Sequence, residues 1–108
     1  MQCWDTRSLD IEPHHPQVLR SDSEMRAIAI HLPADEQLQE HQVHERAYVV
    51  VVDGEVAIEQ GGELATGGPG TLVHFEPNER RTVTATSDTR LLLILAPWPG
   101  AGHPSRHD

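Results

Sequence analysis

Residues 47–60 have the sequence AYVVVVDGEVAIEQ. The first six residues are an almost continuous β-branched run, and β-branched and aromatic side chains favour strands. Asp53-Gly54 follows, and an Asp-Gly pair between two apolar runs is a strong signal for a two-residue hairpin turn. After the turn, Val56 and Ile58 alternate with polar neighbours, as expected for a strand with one buried face. This stretch predicts a β-hairpin at the centre of the chain.

Strand signals continue on both sides of this hairpin, and helical periodicity is nearly absent. The same alternation, broken by turn-forming residues, predicts further strands at residues 26–32, 63–66, 71–75, 81–86 and 90–95. Short strands at such regular spacing are typical of an antiparallel sandwich or barrel. A chain of 108 residues suits one domain of this kind.

The two ends of the chain differ from this pattern. The barrel is predicted for residues 26–96, and residues 1–25 are expected to pack on it or on a partner subunit. Residues 97–108 are polar and contain several Pro and Gly residues, so we expect a C-terminal tail there. Trp98 lies between two prolines and is expected to plug a barrel end or to cover a contact between subunits.

The charge balance excludes several classes of partner. The chain has 17 acidic and 8 basic residues and a formal net charge of −9. Nucleic-acid binding needs clustered cations that neutralise phosphates, and the adjacent pair Arg80-Arg81 is too small for that purpose. No apolar run approaches the roughly 18 residues of a membrane span. We therefore expect a cytoplasmic protein that binds neither nucleic acid nor membranes.

Two groups of residues point to a family. His41 precedes Gly54 in the first group, and Gly70, Pro77 and Arg81 follow one another in the second. Together with the order of strands, their spacing resembles the two motifs of the small single-domain cupins. The first motif there is His-x-His, three or four residues, Glu, six residues and Gly; the second is Gly, Pro-x-Gly, two residues and His. The resemblance implies an all-β, antiparallel double-stranded β-helix (a jelly-roll barrel) and a homodimer.

The metal ligands of that family are mostly replaced in this chain. The resemblance puts His41 at the first metal-binding histidine, but Val43 at the second, Ala47 at the glutamate and Arg81 at the last histidine. One of four expected ligands therefore remains. Asn78 takes the place of the glycine in Pro-x-Gly, a plausible exchange because Asn also tolerates a positive φ. We expect no metal centre of the usual cupin kind.

A relocated metal site is the alternative. His41, His44 and Glu45 lie within five positions, and imidazole and carboxylate groups bind Fe, Mn, Ni or Zn. In a flat strand His41 and His44 would point to opposite faces, so this site needs a bulge or turn between them. A metal held there would imply an enzyme of the dioxygenase or isomerase type.

A lumen that binds a small ligand is the leading interpretation. The residues expected to line it are His41, Val43, Ala47, Val49, Phe75 and Arg81. His41 would act as a hydrogen-bond partner or general base, and the planar guanidinium of Arg81 would hold an anionic group. The simpler interpretation of Arg81 is an internal pair with Glu45 or Glu79, or exposure at the start of its strand.

The sequence gives less specific predictions for two further histidines. His31 shares a strand face with small residues and could reach the lumen, although a core histidine with satisfied hydrogen bonds is more common. His74 points away from Phe75 by alternation, so we expect it on the surface or at an interface.

Three functions follow from these observations. The first is a cupin-fold protein that binds a small organic ligand, with an anionic group where Arg81 contacts it, and without the usual metal. The second is the metal-dependent enzyme with the relocated ligand set. The third is a non-catalytic regulatory or interaction protein, which a lumen filled by side chains would favour.

Overall fold

The structure is a computed structural model, and it describes residues 1–38 and 43–104. The strands within these ranges are β1 (Gln17–Ser21), β2 (Arg26–Leu32), β3 (Arg46–Asp53), β4 (Val56–Gln60), β5 (Glu63–Gly67), β6 (Leu72–Phe75), β7 (Thr82–Ala85) and β8 (Thr89–Ala96). The described residues contain no helix, and so none that could cross a membrane. The prediction of an all-β protein is confirmed.

The strands form two sheets that face each other, and every strand pair is antiparallel. The larger sheet has the order β1-β2-β8-β3-β6, and the smaller has the order β5-β4-β7. Alternation along each strand sends one set of side chains between the sheets. Along β3, for example, Ala47, Val49 and Val51 are fully buried, while Tyr48 and Val50 are half-buried on the outer face. The core between the sheets consists of Ile30, Leu32, Ala47, Val49, Val51, Val56, Ile58, Phe75, Val83, Ala85, Leu91 and Leu95.

The predicted hairpin at Asp53-Gly54 is wrong in its pairing. The turn is present, and Gly54 has the positive φ of 89° that such a turn requires. However, β3 pairs with β6 and β8, whereas β4 pairs with β5 and β7, so the turn carries the chain from one sheet to the other. A Cβ on Gly54 would come within 2.4 Å of the Asp88 carbonyl oxygen, so the turn packs directly on the chain that enters β8.

The segment after β2 extends the smaller sheet. The Asp35 amide donates to the Ala85 carbonyl at 2.8 Å, and the Leu38 amide donates to the Val83 carbonyl at 2.9 Å. An isolated bridge between Gln37 and Thr84 lies between these two bonds. Residues 35–38 therefore run along β7 and form one rim of the space between the sheets.

The N-terminal segment packs on the outside of the larger sheet. β1 pairs with β2, which makes β1 the edge strand. Ahead of β1, Ile11 is buried, and its carbonyl oxygen lies 3.0 Å from Nδ1 of His31. The Arg90 guanidinium donates to the Leu9 carbonyl at 2.5 Å. Barrel side chains thus fix this segment through its backbone.

Candidate functional site

A cavity of about 580 Å³ lies between the two sheets. The apolar side chains that line it are Ile28, Ile30, Leu32, Leu38, Val43, Val83, Leu93, Leu95 and Trp98. Three of them lie on one face of β2, because residues two apart in a strand point to the same side. The polar side chains that line it include Glu36, His44, Glu45, Arg81 and His103. The lumen is therefore not filled by side chains.

Arg81 reaches the cavity from the turn between β6 and β7. Asn78 lies in this turn with a φ of 65°, which confirms the prediction that Asn takes the conformation of the family's glycine. The Asn78 amide donates to the Val43 carbonyl at 2.8 Å and so ties the turn to the start of β3. Beyond the turn, the Arg81 guanidinium carbon lies 4.8 Å from the centroid of the Phe75 ring.

The half-buried guanidinium of Arg81 has no carboxylate within 4.0 Å among the described residues. Within the described residues, the guanidinium donates a long hydrogen bond of 3.5 Å to the Glu79 carbonyl oxygen. The Glu79 carboxylate instead accepts from the Glu76 amide at 2.6 Å and from the Gln60 side chain. Burial lowers the pKa of Arg81, and the attraction of the Glu79 charge offsets part of that effect. The expected internal pairs with Glu45 and Glu79 are not formed.

Glu45 is a buried carboxylate at the start of β3. Its side chain is 0% exposed, and Oε2 accepts a hydrogen bond from the Gly100 amide at 2.6 Å. Oε1 has no partner in the part of the chain that the structure describes. A buried polar atom left unpaired costs about 1–3 kcal/mol. Oε2 of Glu45 therefore holds the C-terminal segment through Gly100, whereas Oε1 accepts no hydrogen bond from the described residues.

The C-terminal segment covers one end of the cavity. Besides the Glu45 contact, Gly100 lies against the backbone of His44, and the Trp98 side chain lines the cavity. The Trp98 ring lies 4.0 Å from the guanidinium carbon of Arg26 and 4.7 Å from the His103 ring. The His103 ring in turn lies 5.7 Å from that of His44. Residues 97–104 thus form a cover, with Trp98 at the barrel end.

A family model for the cupin domain matches residues 28–97, which is more than half of the chain. The chain belongs to the cupin family. The prediction of a small single-domain cupin is confirmed. No curated protein matches this chain in sequence.

Solved cupin structures share the fold. An RmlC-like cupin protein from Desulfovibrio desulfuricans matches with a TM-score of 0.77 at 16% identity, over 90% of this chain and 97% of that one. An RmlC-like cupin with a double-stranded β-helix fold from Methanocaldococcus jannaschii matches with a TM-score of 0.71 at 18% identity, over 78% and 80%. KdgF from a Halomonas species matches with a TM-score of 0.70 at 18% identity, over 82% and 85%. The predicted jelly-roll fold is confirmed.

The structure separates the predicted lumen residues into two groups. Val43 and Arg81 line the cavity of this cupin. Ala47, Val49 and Phe75 point between the sheets, but they lie in the packed core at 0%, 1% and 2% exposure and are not among the cavity-lining residues. His41 lies outside the described residues.

Sequence reasoning missed most of the residues that line the cavity. Several of them come from the inward faces of β2 and β8, such as Ile28 and Leu93, which pair with each other across the two strands. The alternation of β2 predicted an inward face, but nothing in the sequence separated an open lumen from a filled one. His31 lies beside the cavity, and its Nε2 is 2.8 Å from the Asp88 carboxylate. His74 is exposed and stacks on Tyr48 with the ring centroids 4.9 Å apart.

The residues present do not fit the usual cupin metal centre. The resemblance assigns Val43, Ala47 and Arg81 to three of its four ligand positions, and none of these side chains is a metal ligand. The Arg81 cation beside the cavity would also repel another cation. Of residues 1–38 and 43–104, no three His, Cys, Asp or Glu side chains are grouped closely enough to hold a metal ion. The relocated set of His41, His44 and Glu45 depends on a residue outside these ranges and stays a prediction.

Proposed function

We propose that this cupin binds a small organic acid in its lumen and that Arg81 holds the acid group, without the metal centre usual in the family. One observation carries this proposal. Arg81 presents a half-buried cation to the cavity, and no carboxylate of the described residues lies within 4.0 Å of it.

The energetics of Arg81 support an anionic ligand. A charge removed from water without a partner is costly, so buried cations in proteins are normally paired. A carboxylate or phosphate accepts two parallel N–H bonds from a guanidinium, which is the geometry that makes arginine the usual receptor for such groups. Burial lowers the pKa of Arg81 because it disfavours the charged guanidinium. A bound anion would stabilise that charge and so offset the effect of burial.

The rest of the cavity suits the body of such an acid. Its volume of about 580 Å³ lies within the range of roughly 300–1,000 Å³ that is common for small-molecule sites. The wall formed by Ile28, Leu93 and their neighbours is apolar. We therefore expect an acid with an apolar body. An open lumen also makes the third candidate, a purely structural or interaction protein, the weaker one.

Calorimetric titration with 3-phenylpropanoate and 4-methylpentanoate tests the proposal. We expect both acids to bind, and their uncharged amides to bind far more weakly. The variant Arg81→Gln should weaken acid binding at least about tenfold, since hydrogen bonds to charged groups contribute about 1.5–3 kcal/mol. Arg80→Gln is the matched control, because Arg80 is adjacent and exposed. Equal acid affinities in wild type and Arg81→Gln would refute the anion-holding role.

The metal-dependent alternative has one observation in its favour, the unpaired Oε1 of Glu45. Elemental analysis for Fe, Mn, Ni and Zn should be made on untagged wild type, His41→Ala, His44→Ala and a chain without residues 101–108. About one metal per chain that is lost in both histidine variants, but kept without the tail, would favour this alternative. His41 as hydrogen-bond partner or general base is tested by the acid affinity of His41→Ala.

A further inference from the structure

We propose that Glu45 is a second recognition point in the cavity and that the ligand is an acid which also carries an O–H or N–H donor for Glu45 Oε1. This inference rests on the proposed function, because it assumes that Arg81 holds the acid group. It narrows the ligand from any small acid to hydroxy and amino acids with an apolar body.

The unused oxygen of Glu45 is the observation behind it. Glu45 lines the cavity, and its side chain is fully buried. Oε2 is held by the Gly100 amide at 2.6 Å, whereas Oε1 has no hydrogen-bond partner within the described ranges. Buried side-chain oxygens without a partner are rare in folded proteins, and each calls for an explanation such as a bound ligand.

Within residues 1–38 and 43–104, no protein group fills this role. Arg81 lines the same cavity but lies beyond 4.0 Å from the Glu45 carboxylate. The Gly100 bond fixes the orientation of the carboxyl group, so Oε1 cannot turn to take a different partner without breaking that bond. The cavity therefore contains a cation and an acceptor that are held apart by the fold.

The register of the strands puts the two groups within reach of one small molecule. Ala47 in β3 is the Cα partner of Phe75 in β6, and the Arg81 guanidinium lies over the Phe75 ring. Glu45 precedes Ala47 by two positions, immediately before β3, and lines the same cavity as Arg81. We therefore infer that one small molecule can contact both groups.

The chemistry at Oε1 selects for a donor. A carboxylate oxygen accepts hydrogen bonds, so a hydroxyl or ammonium group on the ligand would satisfy it, while a methylene at that position would leave it unpaired. Sites with a buried polar group discriminate strongly against analogues that lack the matching group. A hydroxy or amino acid should therefore be preferred over the parent acid of the same skeleton.

Two ligand triads test this preference by calorimetric titration. The first is 3-phenylpropanoate, L-phenyllactate and L-phenylalanine, and the second is 4-methylpentanoate, L-2-hydroxy-4-methylpentanoate and L-leucine. In wild type, the hydroxy or the amino member of at least one triad should bind at least about tenfold more tightly than the parent acid. Preference for both indicates a hydrogen bond, and preference for the amino member alone indicates an ion pair; either result supports the inference.

Glu45→Gln is the decisive variant. Its amide oxygen can still accept from Gly100, and its NH₂ group then takes the place of Oε1, so the acceptor towards the ligand becomes a donor. The preference ratio of the hydroxy or amino member over the parent acid should fall to about one. A ratio that survives in Glu45→Gln would overturn the inference.

The outcomes separate this inference from the proposed function. If all members of each triad bind wild type equally, and Arg81→Gln weakens all of them, the Glu45 role is wrong and the acid-binding function stands. If no member binds, or Arg81→Gln binds them as wild type does, both are wrong.

Discussion

Gly100 lies so close to His44 that a Cβ on Gly100 would come within 2.2 Å of the His44 carbonyl oxygen. The same Cβ would lie 2.9 Å from Glu45 Oε2, the atom that accepts the Gly100 hydrogen bond. Only a glycine lets the C-terminal segment approach the start of β3 this closely. This contact therefore fixes how the end of the described chain covers the cavity.

Gly100→Ala should destabilise the protein, because the added methyl group collides with backbone that cannot move away cheaply. We expect the free energy of unfolding in urea to fall by about 1–3 kcal/mol, the usual cost of overpacking. Gly68→Ala is the matched control, since its Cβ would lie 3.8 Å from the Gly54 carbonyl oxygen, an ordinary contact. Equal losses in the two variants would show that the Gly100 approach is not tight in solution.

Arg81→Met should cost little stability. Burial lowers the pKa of the Arg81 guanidinium, which means that the folded state disfavours its charge. Methionine removes that cost but also the contact with the Phe75 ring, about 0.5–1 kcal/mol for an exposed cation–π pair. We expect the free energy of unfolding to stay within about 1 kcal/mol of wild type.

Arg90→Met provides the contrast for that measurement. Arg90 donates to the carbonyl groups of Thr6 and Leu9, so its loss should loosen the N-terminal segment and cost about 1–3 kcal/mol. If Arg81→Met were the more damaging variant, Arg81 would have a structural partner, and the ligand-binding proposal would lose its main support.

The turn between β1 and β2 should weaken in acid. The amides of Glu24 and Met25 donate to Asp22 Oδ1 at 2.9 and 3.1 Å, and these bonds lower the pKa of the Asp22 carboxyl. A lowered pKa in the folded state means that the stabilisation is present above the ordinary aspartate value of about 3.9 and is lost as the pH falls through the lower folded value.

Amide chemical shifts of Glu24 and Met25, followed by NMR from neutral to acid pH, measure this effect. Both should titrate with a midpoint below about 3.9. In Asp22→Asn the side-chain oxygen still accepts, but the Asp22 carboxyl is gone, so the part of both shifts that depends on Asp22 should disappear. A midpoint at or above the ordinary value would contradict the role of these two bonds.

We propose that the protein is a homodimer that pairs through the outer face of the larger sheet. Leu72 is 63% exposed there, and Val50 is the Cα partner of both Leu72 and Leu92 across neighbouring strands. This apolar strip is suited to a second copy of the chain, because a symmetric pair can cover the same face on both subunits.

Leu72→Arg tests the dimer. Sedimentation velocity should show a dimer for wild type and a monomer for the variant, since the arginine would place a charge in the middle of the contact. Leu64→Arg is the control; Leu64 is 72% exposed but belongs to β5 in the other sheet, so this variant should remain dimeric. A wild-type monomer, or dimers in both variants, would refute this interface.

Alternation and turn residues were sufficient to predict an antiparallel sandwich or barrel, and the resemblance to cupins added the jelly roll. The strands at β2 and β3 follow directly from apolar residues two positions apart and lie close to their predicted bounds, whereas β1 was not predicted. Local signals could not show which strands pair. Asp53-Gly54 has the same composition whether the turn joins two paired strands or carries the chain between sheets, because that choice depends on Gly54 packing against Asp88, 34 positions away.

The candidate site was less predictable, because its contacts also join residues that lie far apart in the sequence. Arg81 was identified because the resemblance aligned it with a metal ligand, and the structure places it beside the cavity. Glu45 was considered only as a metal ligand or as a partner for Arg81, since its bond to Gly100 joins residues 55 positions apart. The cavity exists because the side chains of the two sheets do not meet at one end of the core. No pattern in the sequence indicates such an open space.

The position of Trp98 gives this cupin a built-in optical reporter. The chain has two tryptophans, and they are in different surroundings: Trp98 lines the cavity, whereas Trp4 is 39% exposed in the N-terminal segment. Replacing Trp4 with Phe would leave a single indole, whose emission reports the polarity and contacts at the covered end of the lumen. Binding of the proposed acid can thus be followed in real time, without a dye or a coupled assay.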